Sequence, residues 1–272
     1  MSFGNMKKYS KDINRVVVKI GTSTLTYSSG KLNFERIDKI ARVLSDINNQ
    51  GKQVILVTSA AIGVGVAKLG IRDSEIIKTV QGKQAAASVG QAMLMKIYQR
   101  FFNDYNQIVS QVLLTRYVTE NEQTKVNAQN TFNALLEMGV IPIVNENDTI
   151  AIDEIVFGDN DTLSATVASL VDADLLILLT DIDGLYTGDP RKNPDAKLIP
   201  RIEDIGKDIE KLASGTSSTL GTGGMITKVK AAEIAYESGI DTVIANGSDP
   251  SIMYGIINGE EIGTHFVAPQ NR

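Results

Sequence analysis

A glycine-rich segment followed by a lysine is the strongest chemical feature of this sequence. Residues 220–228 read Leu-Gly-Thr-Gly-Gly-Met-Ile-Thr-Lys, and a helical pattern continues from there to Ser238. Glycine lets a backbone approach a ligand closely, and the free N–H groups of a helix start favour an anion. Lys228 adds a full positive charge within the first turn. The segment therefore predicts a phosphate site, and a phosphate group in transfer fits it best.

This segment departs from the two commonest nucleotide-binding loops. The pattern G-x-x-x-x-G-K-[ST] cannot be laid on it. In the dinucleotide fingerprint a third glycine is required at the place that Ile226 occupies. A kinase built on this segment would belong to neither design.

Polar and glycine-rich residues also follow four of the predicted strands. These are residues 19–23, 59–65, 145–148 and 180–184. Each is weak alone, because Gly, Asn and Asp form ordinary turns. Ligands of open α/β sheets bind outside the carboxyl ends of the strands. Four such segments at one sheet edge therefore predict a shared site.

The charged residues among them have structural explanations as well as functional ones. Lys19 interrupts an apolar strand and could protect a sheet edge. Asp161 could be a helix N-cap, Lys228 an exposed helix lysine, and Asn145 and Asp148 simple turn residues. In the functional interpretation, two lysines straddle a transferred phosphoryl group and a carboxylate holds their geometry. Phosphoryl transfer needs little beyond in-line positioning and cations on the oxygens that gain charge.

Short β-branched runs alternate with amphipathic segments along the chain and would position these residues. The predicted strands are 16–20, 53–58, 108–114, 140–144, 175–180 and 242–245. Their near-continuous hydrophobicity is typical of a parallel sheet buried on both faces. The predicted fold is α/β, a three-layer α/β/α sandwich around a mainly parallel sheet. Residues 151–157 alternate like a hairpin strand beside it.

The helical patterns between the strands carry their own start signals. Asn33 predicts the N-cap of a helix that Gly51 closes, and Thr119 with Glu122 resembles a capping box. A further helix is apolar on more than one face, which indicates either burial or a shared subunit interface. Its apolar residues are Val89, Met93, Ile97 and Phe101, joined by Met95, Tyr98 and Phe102.

Composition excludes several classes of protein. The chain has 272 residues and a net charge of −5 with no block of like charges, so nucleic acid is not an expected partner. It has no cysteine, and His265 is its only histidine, which we expect to be structural. The first 15 residues lack the apolar core of a signal peptide, and no apolar run could span a bilayer. We therefore expect a cytoplasmic protein that contacts no membrane.

Six motifs taken together resemble the amino acid kinase family. They are Val17–Ser23, Val57–Ile62, Asn145–Asp148, Gly158–Asp161, Thr180–Asp181 and Gly221–Lys228. The resemblance covers nearly the whole chain, and the combination is specific although no single motif is. It implies ATP-dependent phosphorylation of the γ-carboxylate of L-glutamate, the first step of proline synthesis.

The resemblance also implies individual roles. Lys19 and Lys228 would stabilise the transferred phosphoryl group while Asp161 orients them. Glutamate would be held by Ser59, Asp148 and Asn160, with the acidic group on its ammonium. ATP would carry the Mg²⁺, with no metal site on the protein, and would be bound by Lys19, Thr180, Asp181, Thr222, Gly223, Gly224, Met225, Ile226, Thr227 and Lys228.

The chain differs from the family pattern in two places. Ala60 stands where the family usually has glycine, and we expect it at negative φ because Ala61 and Ile62 beside it suit a helix. Many family members carry a C-terminal PUA domain, whereas this chain ends at Arg272. We therefore expect a single domain over residues 1–272 without a PUA domain. The resemblance further implies a homodimer or homotetramer and hand-over of the acyl phosphate to a glutamyl phosphate reductase.

Two other functions stay open. A sibling kinase would act on N-acetylglutamate, aspartate or carbamate, although an acidic turn suits a free ammonium better than an acetylated one. A catalytically silent regulator would bind a nucleotide or an amino acid. The presence of Lys19, Asp161 and Lys228 together argues against the regulator, because binding alone would not need all three.

Overall fold

One sheet runs through the centre of the molecule in the computed structural model. The structure describes Tyr9, Ile209 and residues 11–27, 29–115, 117–150, 160–206 and 224–269, except for the side chains of residues 119 and 120. The strands are β1 Arg15–Ile20, β2 Gln53–Val57, β3 Val109–Leu114, β4 Ile141–Glu146, β5 Leu175–Thr180, β6 Arg201–Ile202, β7 Asp241–Asn246 and β8 Thr264–Phe266. They lie in the order β3-β4-β2-β1-β5-β7-β8-β6.

Strand β1 lies near the middle of this sheet. It pairs in parallel with β2 on one side and β5 on the other, so Lys19 lies opposite both Val57 and Leu178. Among the described strands only the β7–β8 pairing is antiparallel. The prediction of a mainly parallel sheet is confirmed.

Helices cover both faces of the sheet. They are α1 Thr22–Leu25, α2 Phe34–Asn49, α3 Ala61–Leu69, α4 Val80–Asn103, α5 Tyr117–Glu120, α6 Glu122–Glu137, α7 Asn160–Leu170, α8 Met225–Glu237 and α9 Ile252–Ile257, with a 3₁₀ turn at Glu75–Lys78. One apolar core contains buried residues of α2, α4 and α9, and the other contains those of α6, α7 and α8. Each core also takes side chains from alternate positions of the strands, because successive strand residues point to opposite faces. The predicted three-layer sandwich is confirmed.

The local signals are confirmed in part. Asn33 caps α2, its side chain accepting a hydrogen bond from the Arg36 N–H. The capping box at Thr119 is wrong, because α6 begins after Asn121, whose side chain accepts from the Thr124 N–H. The turn predicted at Asn145 begins later, since Asn145 is still paired with Leu113 in the sheet and β4 runs to Glu146. The hairpin predicted at residues 151–157 lies outside the described residues.

Helices α3 and α4 pack unusually closely, and glycines make this possible. A Cβ on Gly90 would lie 1.8 Å from the Ala61 carbonyl oxygen, and a Cβ on Gly65 would lie 1.8 Å from the Ala86 carbonyl oxygen. Only a residue without Cβ fits at either position. This contact holds α4 against the start of α3, directly after β2.

Two further expectations bear on the molecule as a whole. The only histidine, His265, lies in β8, where its Nε2 is 3.4 Å from a carboxylate oxygen of the fully buried Asp241. None of the helices in the described part of the chain combines the length and the hydrophobicity that crossing a membrane requires.

Candidate active site

Lys19, Asp161 and Lys228 meet in the interior at the carboxyl ends of the strands. Lys19 Nζ lies 2.5 Å from Asp161 Oδ1, and Lys228 Nζ lies 3.1 Å from Asp161 Oδ2. The Thr227 hydroxyl donates to the same Oδ2 at 2.7 Å. All three charged residues are buried, with Asp161 only 1% exposed. The lysines therefore flank one carboxylate, as the functional interpretation of the sequence requires.

The charge state of Asp161 follows from these contacts. Burial by itself would raise the pKa of its carboxyl group, because it disfavours the charged form. The ammonium groups of Lys19 and Lys228 and the hydrogen bonds from Lys19 and Thr227 outweigh burial and hold this pKa well below its usual value. Asp161 is therefore a permanent anion at neutral pH.

Lys228 is in the opposite situation. Burial lowers the pKa of its ammonium group, the neighbouring charge of Lys19 acts in the same direction, and Asp161 opposes both. Asp181 also raises this pKa slightly, but its carboxylate is already paired with Arg191, so the two lysines and Asp161 together carry one excess positive charge. A bound anion would neutralise that charge, so the cluster favours a phosphate or carboxylate ligand.

The structural explanations of these three residues are wrong. Lys19 cannot protect a sheet edge, because β1 is flanked by β2 and β5. Lys228 is buried within α8. Asp161 lies inside α7, and its carboxylate is directed at the two lysines.

The side-chain amide of Asn160 connects this cluster to the ends of β2 and β4. Its Nδ2 lies 2.9 Å from the Thr58 carbonyl oxygen, 2.8 Å from Ser59 Oγ and 3.1 Å from Asn145 Oδ1, so its two hydrogens are shared among three acceptors. Because Asn160 is next to Asp161 in α7, these bonds place Ser59 and Asn145 beside the lysine cluster. Asp148, the third predicted substrate residue, lies half-buried two residues beyond β4.

Two residues of α4 that the sequence analysis did not assign to the site form hydrogen bonds with Asn145 and Thr58. Gln91 Oε1 accepts a hydrogen bond of 2.8 Å from Asn145 Nδ2. Tyr98 shares a hydrogen bond of 2.7 Å with Thr58 Oγ1, and burial raises the pKa of its hydroxyl. The one sequence feature that could have pointed to Gln91 is its position as a glutamine on an otherwise apolar helix face.

Five of the residues assigned to ATP in the sequence analysis, Gly224 to Lys228, lie at the start of α8. Gly224 caps this helix in extended conformation, and the first-turn N–H groups of a helix start favour an anion. Met225 is buried and Ile226 is exposed, while the Thr227 hydroxyl points to Asp161. Thr222 and Gly223 lie outside the described residues.

Thr180 and Asp181 lie at the end of β5, the neighbour of β1. The Thr180 hydroxyl donates to Asp181 Oδ1 at 3.2 Å. Arg191, which the sequence analysis did not single out, forms an ion pair of 2.8 Å with Asp181 Oδ2. Both partners are partly exposed, so this pair lies at the surface side of the site.

The expectation for Ala60 is wrong. Its φ is 82° and its ψ is 4°, a left-handed conformation at the N-cap of α3. The neighbours Ala61 and Ile62 do continue as a helix, but the chain must first turn sharply from β2 into α3, and Ala60 makes that turn. Glycine adopts this conformation without cost, whereas alanine does not.

Comparisons with known proteins show the family. Residues 14–246 match the model of the amino acid kinase family. The chain is 56% identical to glutamate 5-kinase of Clostridium perfringens (strain 13 / Type A) over 267 residues, which cover 97% of this chain and 98% of that protein. It is 49% identical to glutamate 5-kinase of Listeria monocytogenes serotype 4a, covering 97% and 96%.

Solved structures share the fold at much lower identity. The carbamate kinase of Giardia lamblia bound to AMP-PNP has a TM-score of 0.67 at 15% identity, covering 94% of this chain and 99% of that one. An isopentenyl phosphate kinase has a TM-score of 0.65 at 16% identity, covering 93% and 100%. At these identities the likeness concerns the fold alone.

Proposed function

The chain belongs to the amino acid kinase family, and we propose that it catalyses ATP-dependent phosphorylation of the γ-carboxylate of L-glutamate. This is the reaction named by the relatives to which it is about half identical over nearly their whole length. The observation that carries the proposal is the buried cluster of Lys19, Asp161 and Lys228, because its excess positive charge suits a phosphoryl group in transfer. The product is L-glutamyl 5-phosphate, which commits glutamate to proline synthesis.

The proposed chemistry is a direct in-line displacement. A γ-carboxylate oxygen of glutamate attacks the γ-phosphorus of ATP, a new P–O bond forms, and the bond to the oxygen that bridges the β- and γ-phosphates breaks. ADP leaves with that electron pair. Lys19 and Lys228 stabilise the charge on the transferred group, and Asp161 keeps both ammonium groups in place. A general base is unnecessary, because a carboxylate is already an ionised nucleophile.

We propose that glutamate and ATP bind to different groups of residues around the Lys19–Asp161–Lys228 cluster. Ser59, Asn160 and Asp148 hold glutamate, with Asp148 on the ammonium group. ATP is held by Thr180 and Asp181 at the end of β5, by residues 224–228 at the start of α8, and by Thr222 and Gly223. Both oxygens of Asp161 already face Lys19, Thr227 and Lys228, so we propose that Mg²⁺ arrives coordinated by the phosphates. The metal would shield phosphate charge there.

We also propose an assembly and a metabolic partner. The partly exposed apolar residues of α4, among them Val89, favour a subunit interface and at least a homodimer. An acyl phosphate is reactive toward water, so its transfer to a glutamyl phosphate reductase fits the chemistry of the product.

A coupled ADP-release assay over a panel of acceptors tests the function. L-glutamate should support ADP formation, whereas N-acetyl-L-glutamate, L-aspartate and carbamate should support far less. Trapping the product with hydroxylamine, which converts an acyl phosphate to a hydroxamate, identifies the acceptor group. A larger kcat/KM with another acceptor would assign a sibling activity, and no ADP with any acceptor would indicate a silent regulator.

A further inference from the structure

Three side-chain amides, those of Asn160, Asn145 and Gln91, form a hydrogen-bond network between the site and α4. One backbone carbonyl group determines which amide donates to which. The Thr58 carbonyl oxygen can only accept, so Asn160 must present its NH₂ group to it. The same NH₂ group faces Asn145, which must therefore present its oxygen. Asn145 is then left with its own NH₂ group, and that group donates to Gln91 Oε1.

Gln91 therefore determines whether every NH₂ group in this hydrogen-bond network has an acceptor. If its oxygen were absent, the buried NH₂ group of Asn145 would lose its acceptor, and a rotated Asn145 would oppose Asn160 donor to donor. Asn145 is 1% exposed and Gln91 is 8% exposed, so water is poorly placed to substitute. Two atoms of this amide network, Gln91 Nε2 and Asn160 Oδ1, are buried without a hydrogen-bond partner among the described residues.

The position of Gln91 is itself well determined. The neighbouring Gly90 brings α4 against the Ala61 carbonyl oxygen at the start of α3. Two turns further along the same face of α4, Tyr98 bonds Thr58 at the end of β2. Helix α4 thus contacts the ends of β2 and β4 through two separate polar side chains.

We propose that Gln91 is a positioning residue for the acceptor substrate, acting through Asn145 on Asn160. This proposal rests on the proposed function, because it assumes that Asn160 and Ser59 hold the carboxylate to be phosphorylated. Gln91 holds Asn145 in one amide orientation, and Asn145 holds Asn160. The Asn160 donor group then faces Ser59 and the acceptor site, and its free oxygen remains available to a hydrogen donor of the substrate.

The first test compares two identical substitutions on one helix. Gln91→Met keeps the side-chain volume but removes the acceptor oxygen, and Gln99→Met makes the same change at an exposed position of α4. Gln91→Met should raise KM for L-glutamate roughly tenfold, the scale of a buried donor left unpaired. KM for ATP should stay unchanged and kcat should change much less than KM. Gln99→Met should match the unaltered protein.

A second substitution of Gln91 and a double variant with Asn145 test the proposal further. Gln91→Asn, which is one methylene shorter and cannot reach Asn145, should show the same rise in KM if Gln91→Met does not fold. In an Asn145→Ala background, Gln91→Met should have little additional effect, because the residue through which Gln91 acts is already missing. Additive effects, or equal rises in KM for glutamate and ATP, would overturn it. If the unaltered protein itself forms no ADP with L-glutamate, the proposed function fails instead.

Discussion

At the scale of single residues, the site contains two buried ammonium groups and one buried carboxylate. Lys19 and Lys228 share one carboxylate, and all three groups are removed from solvent. Burial of an ammonium group with only partial compensation costs folding free energy. The arrangement is intelligible if an anion with developing negative charge supplies the missing compensation, as phosphoryl transfer does.

The first prediction separates catalysis from stability at Lys228. Lys228→Met should lower kcat by at least about 10²-fold, because a preorganised cation no longer meets the transferred group. The melting temperature should change much less than kcat, because Lys19 still neutralises Asp161 and the substitution removes a buried ammonium group. Lys19→Met should lower kcat similarly.

Steady-state kinetics and thermal unfolding measure both effects, and Lys230→Met, an exposed lysine on the same helix, is the control. Near-normal turnover in Lys228→Met would remove the catalytic role of this residue.

The second prediction concerns Asp161. Asp161→Asn leaves two buried lysines without a counter-charge and should lower the free energy of unfolding by about 3–5 kcal/mol at neutral pH. The folded-state pKa of Asp161 lies below the unfolded value of about 3.9, so its contribution is fully present above that pH. The contribution is lost as pH falls from there toward the folded-state pKa.

Urea unfolding of both proteins between pH 7 and the most acidic pH at which they fold tests this. The difference between them should be constant from pH 7 to about 5 and should shrink below about 4. A difference that stays constant into the acid range would show that the Asp161 charge is not its source.

At the scale of elements, the loop between β2 and α3 and the α3–α4 contact position Ser59, one of the proposed substrate residues. Ser59 and Ala60 make the turn from β2 into α3, and glycines let α4 close against that helix. The loop is thus held at its start by the sheet and on its far side by α4.

The third prediction follows from the left-handed conformation of Ala60. Ala60→Gly should raise the free energy of unfolding by roughly 1 kcal/mol, because it relieves the contact of Cβ with the following carbonyl oxygen. Ala61→Gly, at the first residue of α3, should lower it by roughly 1 kcal/mol, because it removes a buried methyl group and adds backbone entropy to the unfolded chain. Chemical denaturation of the two variants gives opposite signs if φ of Ala60 is positive in solution, and equal losses would contradict it.

The fourth prediction tests the helix contact. Gly90→Ala places a methyl group on the Ala61 carbonyl oxygen, so it should destabilise the protein by at least about 1–3 kcal/mol and raise KM for glutamate. Gly63→Ala in α3 is the matched control, because its Cβ meets nothing within 4 Å and alanine favours a helix. Comparable stability of the two alanine variants would mean that α3 and α4 are less tightly packed than described.

At the scale of the whole molecule, α4 serves both the site and a surface. Its inner face carries Gln91 and Tyr98, whereas Val89, at 36% exposure, lies on an outer face with the half-buried Met93 and Ile97. The predicted stripe of Val89, Met93, Ile97 and Phe101 is therefore the flank of α4, and the buried face is displaced by one residue to Leu94, Tyr98 and Phe102.

The fifth prediction is that this flank forms a subunit interface. Light scattering at micromolar concentration should return at least twice the chain mass of 29.4 kDa. Val89→Glu should shift the mass toward that of one chain, because a charge would be buried at the interface. Met138→Glu, at a residue 74% exposed near the end of α6, should leave it unchanged. A mass near 29.4 kDa for the unaltered protein would refute the assembly.

The sequence by itself determined the element types and the residues with chemical potential. Hydrophobic runs, the Asn33 cap and the glycine-rich start of α8 are local patterns, and a local pattern depends only on backbone geometry within a few residues. The family motifs belong to the same class, since each is a short run of consecutive residues.

Only the tertiary structure decided which of these residues meet. Asp161 and Lys228 are 67 positions apart, and Gln91 and Asn145 are 54 apart, so their contacts depend on strand order and helix packing. No window of sequence contains either contact. The left-handed turn at Ala60 was hidden for the same reason: its direction is set by where α3 must lie against α4, while the local pattern indicated only that a helix begins there.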